Sequence, residues 1–205
     1  PEDVGRLTVE TLTAFRQKWY VPGNVSVVVV GDVEPGWLVG QVAALTAKYP
    51  ARPLAWTPPP LEPAPEHPRL RLEKLQRDVS LLGYAWHAPG ISDKTAVCAM
   101  DLVYTLLGQR PAGRLYKRLV QEKQCALSVD TDFLTQRHPG LMVISALVPR
   151  GREQEAQVLI LDEVRQLAEE EVSAEELQLA KRLLYADYAF SNESYDDQAG
   201  SLGFY

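Results

Sequence analysis

The residues able to do chemistry are few and scattered along this chain of 205 residues. Its three histidines, His67, His87 and His138, lack the neighbours that HExxH or HxxEH require: two imidazoles on one helical face with a glutamate beside them. His67 falls in a proline-rich stretch, His87 ends a strand-like run and His138 lies in a turn. Each therefore reads as an exposed or loop histidine. No GxSxG sets a serine on a strand-to-helix turn, and neither GxGxxG nor GxxxxGK[ST] offers a phosphate cradle. Gly108 and Gly113 flank "QRPA" without a phosphate-binding lysine. Carboxylates gather at Glu169, Glu170, Glu171, Glu175 and Glu176, and again in "ESYDD" at 193–197. Adjacent carboxylates on a helix read as a solvated face. Cys98 and Cys125 lie in apolar patterns, with no CxxC, and read as small buried hydrophobes. Taken alone, these residues make no complete catalytic set.

The elements that would position them follow from periodicity. "LTVETLTAFRQKWY" has Val9, Leu12, Phe15 and Trp19 at helical spacing, with Thr8 as N-cap, and Pro22-Gly23 breaks it. "VSVVVVGD" is a near-continuous run of stiff β-branched residues, the pattern of a strand covered on both faces. Pro35 suits a first helical turn, and Trp37, Leu38, Val42 and Leu45 form the stripe of a helix to about Tyr49. Residues 50–68 hold eight of the fifteen prolines, an extended connector rather than a helix or inner strand.

Beyond the connector, "RLRLEKL" and "VSLLGYAWH" are strand-like runs joined by a Gln76-Arg77-Asp78 turn. "ISDKTAVCAMDLVYTLLG" is helical, capped by Ser92 or Asp93 and ended by Gly108. In "RLYKRLVQEKQCALSV", residues 114–129, a helix with Leu115, Tyr116, Leu119 and Val120 on one stripe runs straight into a strand that reaches about Leu134. "TQRHPG" turns the chain, and "LMVISALV" returns antiparallel. A helix follows with Val158, Leu161, Val164 and Leu167 in register. Ser173 with Glu176 forms a capping box for the next, and helix resumes after Asn192. Neighbouring strand pairs and blocked helices predict an α+β fold: a mostly antiparallel sheet of about five to six strands layered against helices. The organisation expected is one domain over 1–205, with helix-strand-helix at 1–49, the connector at 50–68, and sheet and helices at 69–205.

Apolar residues make up 46% and the net charge is −6, enough for a core and without the basic face of a nucleic-acid binder. No apolar run reaches the roughly 18–20 residues of a membrane span. A start at Pro1 and a stop at "AGSLGFY" in mid-pattern read as a segment of a longer protein, so compartment is not legible.

The order and wording of these elements resemble one family. "LTVETLTAFRQKWYVPGNVSVVVVGDVEP" looks like the passage that opens the second half of a pitrilysin/insulinase-type zinc peptidase, an inverzincin related to mitochondrial processing peptidase. Thr8, Glu10, Leu12, Phe15, Trp19 or Tyr20, Pro22, Asn24, Gly31 and Asp32 match its pattern. "APGISDKTAVCAMDLVYTLLG" and "GRLYKRLVQEKQCALSV" then follow in family order. The resemblance implies paired α+β halves that enclose a chamber for a peptide. It also implies a zinc held by two histidines and a distal glutamate, with a further carboxylate activating water. All of those groups belong to an HxxEH-bearing N-terminal half. The partners implied are that half, a second peptidase-like subunit or half, and a peptide substrate.

In members whose facing half completes the site, the helix-strand junction carries an arginine and, seven positions on, a tyrosine, taken to bind substrate and steady the developing oxyanion. Laid on 114–129, those positions are Val120 and Leu127, and neither side chain can donate a hydrogen bond. Arg118 is two places off on another side of the helix, and the role is not carried to it. The resemblance therefore implies no catalytic, cofactor-binding or metal-ligating residue in this chain, and a junction that serves packing. Such a chain is expected beside an HxxEH half, or as a degenerate scaffold subunit of a peptidase-like complex.

Overall fold

A computed structural model describes residues 2–49, 60, 63, 66–74 and 76–204. Most of the proline connector predicted at 50–68 lies outside the described residues. The chain divides into two compact units, one of residues 1–60 with 189–205 and one of residues 61–188.

The larger unit is built on an antiparallel sheet. Strand β1 (Val79–Ala88) and strand β2 (Ser128–Phe133) flank a central strand β3 (Gly140–Pro149). Val79 pairs with Pro149 at one end of the first ladder and Ala88 with Gly140 at the other, while Ser128 faces Leu147 in the second. Alternation sends Met142, Ile144, Ala146 and Val148 to one face, where all are buried. Leu82, Tyr84 and Trp86 share that face from β1, and Val129 and Phe133 from β2. Helix α4 (Lys94–Gly108) packs against β2, and helix α5 (Glu153–Glu169) against β1 and β3. Leu107, Ala156, Leu159 and Ile160 complete the core from these helices. The result is the two-layer α+β arrangement expected from blocked helices and paired strands.

Local chemistry sets the helix ends. Asp93 caps α4 by accepting the Ala96 N–H at 3.0 Å, and Ser173 accepts the Glu176 N–H at 3.2 Å ahead of helix α6 (Ala174–Phe190). Gly108 and Gly113 are needed for close approach. A Cβ on Gly108 would stand 1.7 Å from Thr131 Oγ1, and one on Gly113 2.7 Å from the Leu107 carbonyl oxygen.

The smaller unit holds helix α1 (Glu2–Gly5), helix α2 (Val9–Trp19), helix α3 (Pro35–Thr46) and helix α7 (Tyr195–Phe204). Thr8 caps α2, accepting the Thr11 N–H at 3.2 Å, and the Glu34 carboxylate caps α3 ahead of Pro35. Val21 is its one buried apolar side chain among the described residues.

Three expectations need correction. Among the described residues the sheet has three strands, not five to six, because neither "VSVVVV" at 25–30 nor "RLRLEK" at 69–74 enters a ladder. The ladder partner of β1 is instead β3, which supplies a full-length apolar strand, whereas Leu70 and Leu72 stay largely exposed. In α5 the buried stripe is Ala156, Leu159, Ile160 and Glu163, while Val158 is exposed. A repeat of three drifts around a helix, and the alternating three-and-one spacing is what keeps to one face.

Candidate functional site at the helix-strand junction

Residues 114–129 connect a helical segment to β2, and the helical part between Tyr116 and Glu122 is a π-helix. Its closing bond runs from the Lys123 N–H back to the Arg118 carbonyl at 3.0 Å. The Cys125 and Ala126 N–H groups both donate to the Leu119 carbonyl, at 2.9 and 3.2 Å. Gln124 makes the turn between Lys123 and Cys125 with φ +48°, the left-handed region that a side chain disfavours. Such wide turns are frequent at functional positions.

The apolar stripe lands as its spacing predicts. Leu115 and Leu119 are fully buried, and Tyr116 and Val120 pack against the same core. Cys125, Ala126 and Val129 continue that contact into β2. Val120 is thus half-buried among apolar neighbours, but Leu127 is 57% exposed. The expectation that both positions serve packing needs correcting at Leu127, whose main chain is held instead, its N–H donating to the Leu147 carbonyl at 2.7 Å. Cys125 is buried and its thiol is pushed up by desolvation, whereas Cys98 is exposed, contrary to the buried reading. Both are free.

The other side of the π-helix is ionic. Arg114 meets Glu176 of α6 through two parallel bonds of 2.6 Å each, a fork-to-fork pair. This pairing holds the Glu176 carboxyl below the usual carboxylate range, with the Arg114 hydrogen bonds the largest cause. Arg118 reaches Glu163 at 2.5 Å and Asp162 at 2.8 Å on α5. Asp162 is drawn down by hydrogen bonds from Arg165 and Arg118. Glu163 is 7% exposed, a carboxylate in the apolar stripe with the Arg118 guanidinium as partner. Glu176 is more than part of a capping box on a solvated face, and Arg118, to which the resemblance carries no role, anchors the π-helix to α5. The available signal was Glu163, a charge at the i, i+3, i+4, i+7 position of a buried stripe, which demands a cation nearby.

At the start of the junction Arg110, joined to Pro111 by a cis peptide, pairs with Asp130 and lies 5.7 Å over the Tyr116 ring. The Tyr104 phenol is pushed up by burial first, then by Asp187, Asp132 and Asp130. His67, His87 and His138 are all exposed. Among the described residues no group of three or more His, Cys, Asp or Glu side chains could hold a metal, so the zinc implied by the resemblance has no seat in them. No described helix is long and apolar enough to cross a membrane. What the junction does chemically is hold three elements together by two guanidinium clamps and a buried aliphatic row.

An antiparallel sheet with helices layered on one face, and a helix-strand junction clamped to the following helices, define the class: a layered α+β protein. The fold recurs in solved structures. A protease from Helicobacter pylori superposes with a TM-score of 0.88 at 23% identity, over 98% of this chain and 50% of that one. The peptidase M16 inactive domain from Pseudomonas fluorescens gives 0.78 at 23%, over 97% and 47%. A conserved protein from Enterococcus faecalis gives 0.73 at 17%, over 96% and 46%. The chain spans about half the length of these relatives. No curated protein compared with it is similar. The sequence pattern of the peptidase M16 inactive domain matches residues 6–184, and the chain belongs to that family.

Proposed function

We propose that this chain is the non-zinc-binding half of a pitrilysin/insulinase-type zinc metallopeptidase, contributing chamber wall and assembly surface to peptide proteolysis. The observation that supports this most is membership of the inactive-domain family over residues 6–184. The aliphatic side chains at Val120 and Leu127, where an oxyanion-steadying arginine and tyrosine would stand, agree with it. In this reading the zinc, its ligands and the water-activating carboxylate sit in an HxxEH-bearing half. This chain contributes a rigid wall whose shape rests on the Arg114–Glu176 and Arg118–Glu163 clamps.

The test is direct. Purified alone, the chain should carry less than about one zinc per ten molecules and cleave no unfolded peptide, and the assembled parent should hydrolyse one. One tightly held zinc per isolated chain would overturn the reading. An assembled parent that retains HxxEH yet cleaves nothing would favour a scaffold role instead.

A further inference from the structure

The smaller unit carries a strand-like segment that enters no ladder among the described residues. Residues 25–30 read "VSVVVV", and Val25 has the extended backbone of a strand, φ −123° and ψ 129°. Yet among the described residues none of the N–H groups from Ser26 to Val30 has a backbone partner, so both edges are open. An open edge with apolar side chains on both faces is the configuration that soluble proteins avoid. Val27 and Val29 are 57% and 45% exposed on one side, while Val28 lies near Gly203 of α7 on the other. Neither α2 nor α3 buries a residue, and Leu12, Phe15, Trp37 and Leu45 stay exposed. Two helices and a two-sided strand-like segment are here, and the described residues of this unit hold no sheet for them to cover.

We infer that Val25–Val30 is a strand of the companion half's sheet, inserted at its edge, with α2 and α3 covering that sheet. The occupant is a β-sheet edge with an apolar face. The solved relatives, about twice this length, contain that much further chain. A strand addition supplies both missing kinds of partner: main-chain hydrogen bonds for Ser26–Val30 and apolar contact for the valines. The inference rests on the proposed reading of the chain as one half of a peptidase-like protein, and it names the joint.

The experiment co-purifies this chain with the HxxEH-bearing half of its parent protein, expressed separately, and follows amide exchange by mass spectrometry. In the complex, amides 26–30 should slow at least about a hundredfold while those of β3 are unchanged. V27D/V29D should weaken the complex at least about tenfold, and V158D, an equally exposed apolar-to-acid change in the larger unit, less than about twofold. If the halves do not associate, the reading of this chain as a half fails, and the inference with it. If they associate but 26–30 exchange as before and V27D/V29D binds as well as the unaltered chain, the reading stands and the inference is overturned. Protection of 26–30 in a dimer of this chain alone would also overturn it, by making a second copy the occupant.

Discussion

The two units of this chain contain similar amounts of apolar patterning and treat it in opposite ways. In the larger unit Leu115, Leu119, Val129, Val148 and Ile160 are wholly out of water. In the smaller, Phe15, Val27, Trp37 and Leu45 remain between 57% and 68% exposed. The difference is topological rather than compositional. A helix or strand can bury an apolar face only against another layer. The larger unit makes both layers from its own residues. The smaller has helices and an extended segment but no ladder among its described residues. Periodicity says which residues want to be buried; it does not say which polypeptide supplies the cover.

The contrast can be broken most severely at Leu119. Leu119→Ala should cost about 3–4 kcal/mol in the urea transition of the larger unit, whereas Leu45→Ala in the isolated chain should change stability by less than about 0.5 kcal/mol. Equal losses would mean that the smaller unit has a core of its own. Next in size is the clamp. Arg118→Met strands Glu163, and stability should fall by about 2–3 kcal/mol, with more than half regained in Arg118→Met/Glu163→Leu. A double variant no better than the single would show that Arg118 acts through Asp162 instead.

Gln124→Gly should raise stability by about 1 kcal/mol, because glycine removes the cost of the left-handed backbone there. A loss would mean that the Gln124 side chain makes a contact of greater value. The Arg114–Glu176 pair sharpens the comparison through pH. Glu176 has a depressed carboxyl in the folded chain, so its contribution is complete above its ordinary value of 4.5 and disappears as pH falls through the folded one. The stability gap between the unaltered chain and Glu176→Gln, measured by denaturant titration, should therefore be constant from pH 8 to about 5 and close below it. A gap that widens on acidification would reverse the sign. Smallest of all, Leu127→Ala should shift stability by less than about 0.5 kcal/mol, since that side chain is more than half in water.

Much of this was legible in the sequence, and the misses have physical causes. The cap at Thr8, the α4 cap narrowed to Ser92 or Asp93, the stripe of Leu115 and Leu119, and the antiparallel return of β3 all depend on neighbours within a few residues. The ladder partner of β1 and the exposure of Val25, Val27, Val28 and Val29 depend on pairing, which local patterning does not encode. Glu163 hid the true face of α5 because a charge in a buried stripe looks like an interruption until its guanidinium is located 45 positions upstream. At Leu127 an apolar residue type suggested burial, but the main-chain bond to Leu147 fixes that residue without covering its side chain.

The central claim is that one unit is self-sufficient and the other awaits a sheet, and amide exchange of the isolated chain tests it most directly. Amides of β3 should exchange only on global unfolding, at least about a thousandfold more slowly than those of Val27–Val30, which should exchange nearly as fast as an unstructured peptide. Comparable protection in the two segments would contradict the account.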